Sequence, residues 1–178
     1  MIEKEIKFKA RHGEMRLKLK RLGATMLKKF FEANTIFDTQ DGMLFKRDEL
    51  LRLRVSDRKM LTFKSKPVKS RFKIREEIET EVADAESAAR LLERVGFRKA
   101  WAYEKEREIW KLGRAKVFLD RLPEIGEYVE IEGNERDIER SAASLGLPIA
   151  LGIKSTYFDI FVEHCKRNHL KRRDLIFR

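Results

Sequence analysis

Segment after segment of this chain alternates hydrophobic and charged residues with the two-residue period of a β-strand, and the polar side of each segment is almost purely ionic. In residues 2–9, IEKEIKFK, the apolar Ile2, Ile6 and Phe8 stand opposite Glu3, Glu5, Lys7 and Lys9. LRLRV (51–55) sets Arg52 and Arg54 against Leu51, Leu53 and Val55, and LTFKSK (61–66) sets Lys64 and Lys66 against Leu61 and Phe63. In 72–82, Lys73, Arg75, Glu77, Glu79 and Glu81 share a face. Later come 101–110, WAYEKEREIW, charged on both faces; 115–120, with Asp120 beside Lys116 in phase; and 127–132, with Glu130 and Glu132 opposite Val129 and Ile131. A solvated sheet face normally mixes Ser, Thr, Asn and Gln with its charges. Here the two signs also separate by strand, LRLRV and LTFKSK being basic and EYVEIE acidic.

Helical spacing predicts helices over 12–24, 84–96, 134–146 and 156–170, with Asp84 and Asn134 as N-caps and Gly96 and Gly146 as stops. An E-x-E strand followed by a helix and Leu-Gly or Val-Gly recurs near 3–23, 77–96 and 130–146. Strands interspersed with helices, with no linker, predict one α+β domain over 1–178. The stripe Leu91, Leu92 and Val95 reads as core packing.

If the sheet curls so that its ionic face turns inward, the interior carries acids and bases together. Hard divalent cations want carboxylate oxygens. Polyphosphate wants Arg forks and Lys point charges. An E-x-E pair places two carboxylates about 7 Å apart on one face. The alternative is a solvated face laced with ion pairs, and for Lys9, Lys66 and Lys73 that reading is preferred.

Composition bounds the function. Lys and Arg number 41 against 30 Asp and Glu, a net charge of +11, which predicts anionic partners. With 42% hydrophobic residues the chain is not a disordered polyelectrolyte. The single Cys165 excludes a disulfide framework, and His12, His164 and His169 are too scattered for a zinc site. No run approaches the roughly 20 apolar residues of a membrane span, and the N-terminus is charged, so the expectation is a cytoplasmic protein without a signal peptide. Abundant Lys, Glu and Arg with a single Gln fit a thermophile. A nucleic-acid-binding role is the competing class: it has the net charge and the basic run 166–173 behind it, but no stacking platform or helix-turn-helix signature.

The ordered set of motifs resembles the CYTH family of class IV adenylate cyclases and thiamine triphosphatases. Glu3-Lys4-Glu5-Ile6-Lys7 resembles its E-x-E-x-K strand. FDTQDGMLFKRDELLRLR resembles its Phe-Asp to Leu-Arg-x-Arg stretch, LTFKSK its lysine strand, REEIETEV its R-x-E-x-E strand and EKEREIW its K-x-R strand. AKVFLDRLPEIGEYVEIE resembles its aspartate strand and paired-glutamate strand, and IKSTYFDIF its Lys-Ser-Tyr segment. Asn34, where an acid is frequent, and Leu122 and Ile125 in the turn depart from the pattern, at positions taken as outer.

The resemblance implies an eight-stranded antiparallel closed β-tunnel with helices packed outside. It implies Glu3, Glu5, Asp120, Glu130 and Glu132 as ligands for Mg²⁺ or Mn²⁺. Arg52, Arg54, Lys64, Arg75 and Arg107 would hold a triphosphate, with Lys7, Lys105 and Lys154 as further inward cations. Lys7, Arg54 and Arg107 are the candidate catalytic residues, Lys7 as a proton handler. The motif run is most similar to the cyclase branch, converting ATP to cyclic AMP and pyrophosphate. Hydrolysis of thiamine triphosphate, tripolyphosphate or a nucleoside triphosphate is the alternative. A homodimer is compatible with the resemblance.

Overall fold

A computed structural model describes residues 1–178. Eight strands form one closed antiparallel barrel: β1 Ile2–Lys9, β2 Thr25–Thr39, β3 Leu50–Val55, β4 Lys59–Lys64, β5 Lys73–Glu81, β6 Phe97–Leu112, β7 Ala115–Leu122 and β8 Gly126–Glu132. Around the barrel the order is β1-β5-β4-β3-β2-β6-β7-β8, and β8 closes on β1 with Lys7 opposite Glu130 and Glu5 opposite Glu132. Closure removes both sheet edges and creates an interior lumen.

The helices are α1 His12–Arg21, a single turn α2 Met43–Lys46, α3 Ala85–Arg94, α4 Glu135–Leu145 and α5 Tyr157–Arg167. The side chains of Asp84 and Asn134 cap α3 and α4 as the sequence predicts, accepting from the backbone N–H of Ser87 and Asp137. Thr156 and Asp159 form a capping box that starts α5. Gly146 ends α4 in the left-handed region at φ 71°.

The apolar strand faces point outward, under the helices. Ile6, Phe8, Val117, Leu119, Val129 and Ile131 pack against Met15 and Leu19 of α1 and Ile138, Ala142 and Leu145 of α4. A second cluster sets Tyr157, Phe161 and Cys165 of α5 against Ile36, Trp101 and Tyr103, closed by Leu175 from the C-terminal segment. In α3 only Leu92 is buried, against Phe37 and Leu53; Leu91 and Val95 are 62% and 63% exposed, so the predicted core stripe is one residue wide. Leu122 and Ile125 belong to the second core cluster and are not outer residues.

β2 has no counterpart among the predicted strands. Register shifts interrupt its pairing with β6 at Met26/Lys28, where Leu27 is the extra residue, and at Ile36/Phe37, where the extra residue is Ala100 on β6. The period-2 signal is scrambled in TMLKKFFEANTIFDT although the strand runs 15 residues.

The basic run 166–173 is largely tied to the fold. Arg167 pairs with Glu163 and Arg172 with Glu124, while Arg173 donates to the backbone carbonyls of Lys99 and Ala100 at 3.1 Å each.

Candidate functional site

Residues directly opposite one another in antiparallel strands share a face, so the register fixes what fills the lumen. Lys7 stands opposite Glu130, Glu3 opposite Arg75, Glu5 opposite Lys73, Lys64 opposite Glu77, and Arg107 opposite Asp120. These side chains line or underlie a cavity of about 810 Å³ inside the barrel, together with Arg52, Arg54, Lys105, Glu132 and, from the start of α5, Tyr157. A larger cavity of about 1180 Å³, half of its lining apolar, lies beside α5 and shares Leu50, Arg75, Trp101, Thr156 and Phe158 with the lumen. The ionic groups are concentrated in the smaller one.

The strand order sorts the charges. β8, β1 and β5 are contiguous and bring Glu130, Glu132, Glu3, Glu5, Glu77 and Glu79 onto one wall. The facing wall, β4-β3-β2-β6, carries Lys64, Arg52, Arg54, Lys105 and Arg107. The three recurring E-x-E strands are these three acidic neighbours.

On the acidic wall, lysines stand between carboxylates. Lys7 bridges Glu5 at 2.8 Å and Glu130 at 3.2 Å, and Lys73 reaches Glu5 at 3.0 Å. Lys64 lies 3.1 Å from Glu3 and also pairs with Glu77. Burial opposes the charge on Lys7, but Glu5 and Glu130 outweigh it and raise its pKa, so Lys7 is held as a cation here and not as the contested proton carrier that the sequence suggested. Burial also opposes ionisation of Glu5, and Lys7, Lys73 and Lys64 overcome it, holding the carboxyl well below the usual range. Lys73, assigned to a plain ion pair from sequence, makes one, but inside the lumen.

Glu3 and Glu132 are less well compensated. Burial, a hydrogen bond with Glu77 and the nearby Glu5 push Glu3 up to about 7 despite Lys64. Burial and the charges of Glu3 and Glu130 raise Glu132, which has only Lys116 at 4.0 Å as an ion-pair partner.

Asp120 is the most enclosed acid, at 0% exposure. Arg107 donates to its two oxygens from Nε and Nη2 at 2.6 Å each, Lys105 Nζ at 3.2 Å and the Tyr157 hydroxyl at 2.8 Å. Burial opposes its ionisation, yet Arg107 and Lys105 hold the carboxyl well below the usual range. Arg107 reaches on to Glu130 at 3.2 Å, joining the two walls. Burial, then Asp120 and Glu130, raise the Tyr157 phenol, so it stays a donor.

Twelve of the thirteen residues singled out for the site therefore meet in or directly behind one lumen. Lys154 does not: Ile153 is tied to β1 through Lys7 backbone bonds, and the exposed Lys154 side chain turns out to the carbonyl of Ser70 at 3.0 Å. The sequence reading missed Tyr157, inside a quoted motif but hidden by its aromatic character, and Glu32 and Asn34, which lie on the unpredicted β2. Glu32 stands opposite Lys105; Asn34 stands opposite Arg54 and Tyr103. Both are 1% exposed, so Asn34 is not an outer residue.

Comparison with known proteins places this architecture. A candidate adenylate cyclase of Methanocaldococcus jannaschii is 32% identical over 140 residues, 78% of this chain and 80% of the relative. A solved structure of a Pyrococcus horikoshii protein superposes with a TM-score of 0.78 at 26% identity, covering 89% of this chain and 98% of the other. A candidate adenylyl cyclase from Hippeastrum, described as having a dominant triphosphatase activity, shares the fold at a TM-score of 0.65 and 22% identity, covering 91% and 95%. The CYTH domain profile matches residues 1–145, and the chain belongs to the CYTH domain family.

Proposed function

We propose that the lumen binds a triphosphate together with a divalent cation and transfers a phosphoryl or nucleotidyl group, with cyclisation of ATP to cyclic AMP and pyrophosphate as the leading reaction. The observation that carries this is the concentration of both signs in one cavity of about 810 Å³: Arg52, Arg54, Lys64, Lys105 and Arg107 face a wall rich in carboxylates that also holds Lys7, Lys73 and Arg75. A triphosphate presents only anionic acceptors, which suit the guanidinium groups of Arg52, Arg54 and Arg75 and the ammonium groups of Lys64 and Lys105.

The donor set suits a hard cation. Glu3, with its carboxyl pushed up to about 7, and Glu132, also raised, are acids short of positive charge. Glu3, Glu5, Glu130 and Glu132 would hold Mg²⁺ or Mn²⁺, which when bound supplies neutralisation of phosphate charge. No three carboxylates converge on one point in this arrangement, because Lys7, Lys64 and Lys73 stand between them. Asp120 is already saturated by Arg107, Lys105 and Tyr157, so its work is to fix Arg107 in place; Arg107 then offers its remaining face to phosphate oxygens.

Two reactions fit these groups. Attack of the ribose 3′-hydroxyl on the α-phosphorus gives cyclic AMP and pyrophosphate; attack of water on the terminal phosphorus gives orthophosphate. The Methanocaldococcus relative favours the first, and the Hippeastrum neighbour keeps the second. In either, this chain's contribution is positioning and charge stabilisation. The test is product analysis with ATP, thiamine triphosphate and tripolyphosphate, each with Mg²⁺ and with Mn²⁺. Cyclic AMP with pyrophosphate supports the leading reading, orthophosphate alone the second, and no metal-dependent product from any of the three overturns both.

A further inference from the structure

The basic wall contains one acid. Glu32 on β2 lies diametrically across the barrel from β1, four strands away in either direction. It is 1% exposed, and neither carboxylate oxygen has a hydrogen-bond partner. Its nearest cation, Lys105 Nζ, is 3.4 Å away. Two residues further along the same face, Asn34 is equally enclosed, and both its amide oxygen and its amide nitrogen lack partners. Buried polar groups in folded proteins are almost always paired, and an orphaned carboxylate beside an orphaned amide asks for a ligand.

A counter-ion role leaves the Glu32 oxygens without a hydrogen bond, although Lys105 stands 3.4 Å away. Lys105 and Arg107 already have Asp120, Arg107 through two bonds of 2.6 Å. Nor can phosphate satisfy the Glu32 carboxylate, because phosphate oxygens only accept. What is missing is a donor, and one with two adjacent hydrogens suits a carboxylate with both oxygens free. A vicinal diol is such a group, and a carboxylate is how dinucleotide-binding folds hold ribose hydroxyls. Lys105, Arg107 and Arg52 keep the Glu32 carboxyl down at about 2 against the effect of burial, so it is an acceptor throughout the working pH range.

We propose that Glu32, which lines the lumen with Asn34 next to it on the same strand face, forms a subsite for the ribose hydroxyls of a nucleoside triphosphate, so that the lumen selects nucleotides over bare or hydroxyl-poor triphosphates. This rests on the triphosphate reading above and names its substrate class.

The test is calorimetric binding, in Mg²⁺, of ATP, 2′,3′-dideoxy-ATP and tripolyphosphate to the wild type, Glu32→Ala and the near-isosteric Glu32→Gln, with circular dichroism to verify folding. The wild type should prefer ATP to the dideoxy analogue by about 10- to 100-fold, since a site built to hold hydroxyls rejects ligands that lack them. Glu32→Ala should compress that ratio to within about threefold, with Glu32→Gln between. If Glu32→Ala does not fold, Glu32→Gln decides, by a reduced ratio. A wild-type ratio near one, or a ratio that persists in the variants, overturns the subsite while leaving triphosphate binding intact. Failure of the wild type to bind any of the three overturns the triphosphate reading, and the subsite with it. Titration with Mn²⁺ alone covers the remaining case: loss of a metal site in the Glu32 variants would make Glu32 a metal ligand and refute the proposal.

Discussion

Replacing Asp120 by Asn keeps the shape of a fully enclosed side chain and deletes its charge. Asp120 receives two 2.6 Å bonds from Arg107, one of 3.2 Å from Lys105 and one of 2.8 Å from Tyr157. Removing one partner of a buried ion pair costs about 3–5 kcal/mol, because the other charge remains desolvated. Here Arg107 keeps Glu130 at 3.2 Å and Lys105 keeps Glu32 at 3.4 Å, which places the loss near the lower end, about 3 kcal/mol. For a chain of this size each kcal/mol shifts Tm by about 2–4 °C, so Asp120→Asn should melt roughly 6–12 °C below the wild type at pH 7. The pH dependence follows from the sign of the shift. Arg107 and Lys105 depress the folded-state pKa of Asp120 against burial, so its contribution is present above the unfolded value of about 3.9 and is lost as pH falls below it. The gap between wild type and variant in urea unfolding should therefore narrow from pH 7 toward pH 3. A second change, Arg107→Met in the Asp120→Asn background, should recover part of the loss, since the stranded cation is gone. A loss at pH 7 below about 1 kcal/mol, or a gap that does not respond to acid, would refute the view that Asp120 is the electrostatic anchor of Arg107.

Glu3 carries the opposite sign. Its folded-state pKa is raised to about 7, so its stabilising contribution is complete below the unfolded value near 4.3 and disappears as pH rises through 7. Glu3→Gln should stabilise the metal-free protein by about 2–3 kcal/mol more at pH 8 than at pH 4, read from urea midpoints, and the same substitution should weaken the stabilisation given by Mn²⁺ at pH 8. Gly152 backs onto β1: a Cβ there would stand 2.1 Å from Ile6 Cδ1 and 2.9 Å from the Ile149 carbonyl oxygen. Gly152→Ala should cost about 1–3 kcal/mol through overpacking, measured by thermal unfolding, whereas Gly113→Ser, on an exposed turn, tests backbone strain alone at φ 60° with no neighbour within 4 Å.

What was legible in the sequence was whatever kept a clean period. β1 and β3 alternate most cleanly, β7 and β8 with Phe118 and Tyr128 as apolar exceptions on the ionic face, and their register delivers Glu3, Glu5, Arg52, Arg54, Asp120, Glu130 and Glu132 to or directly behind one lumen. β6 was ambiguous because its outward face is also charged: Glu108 receives Arg16 at 2.9 Å and Glu106 receives Arg121 at 2.5 Å, so outside ion pairs imitate an inside face. β2 was illegible because neither face is of one kind: between Lys28 and Ile36, where the register is unbroken, Lys28, Phe30, Glu32 and Asn34 share one face and Lys29, Phe31, Ala33 and Thr35 the other, and with it went Glu32 and Asn34. Lys154 was misplaced because a motif gives a position in the chain, whereas the direction of a side chain after α4 depends on how Ile153 docks on β1. The state of Lys7 could not be read either: it is set by two carboxylates, and one of them lies 123 positions away in the chain.

The central claim is that the enclosed charges jointly hold a triphosphate with its cation. It is tested most directly by titrating tripolyphosphate into the wild type and into Arg52→Ala/Arg54→Ala, with Mn²⁺ and with EDTA, while verifying that both proteins remain folded. Binding to the wild type that needs Mn²⁺, and that weakens at least 100-fold in the double variant, is the predicted result. Equal affinity in the two proteins, or binding indifferent to the metal, would contradict the account.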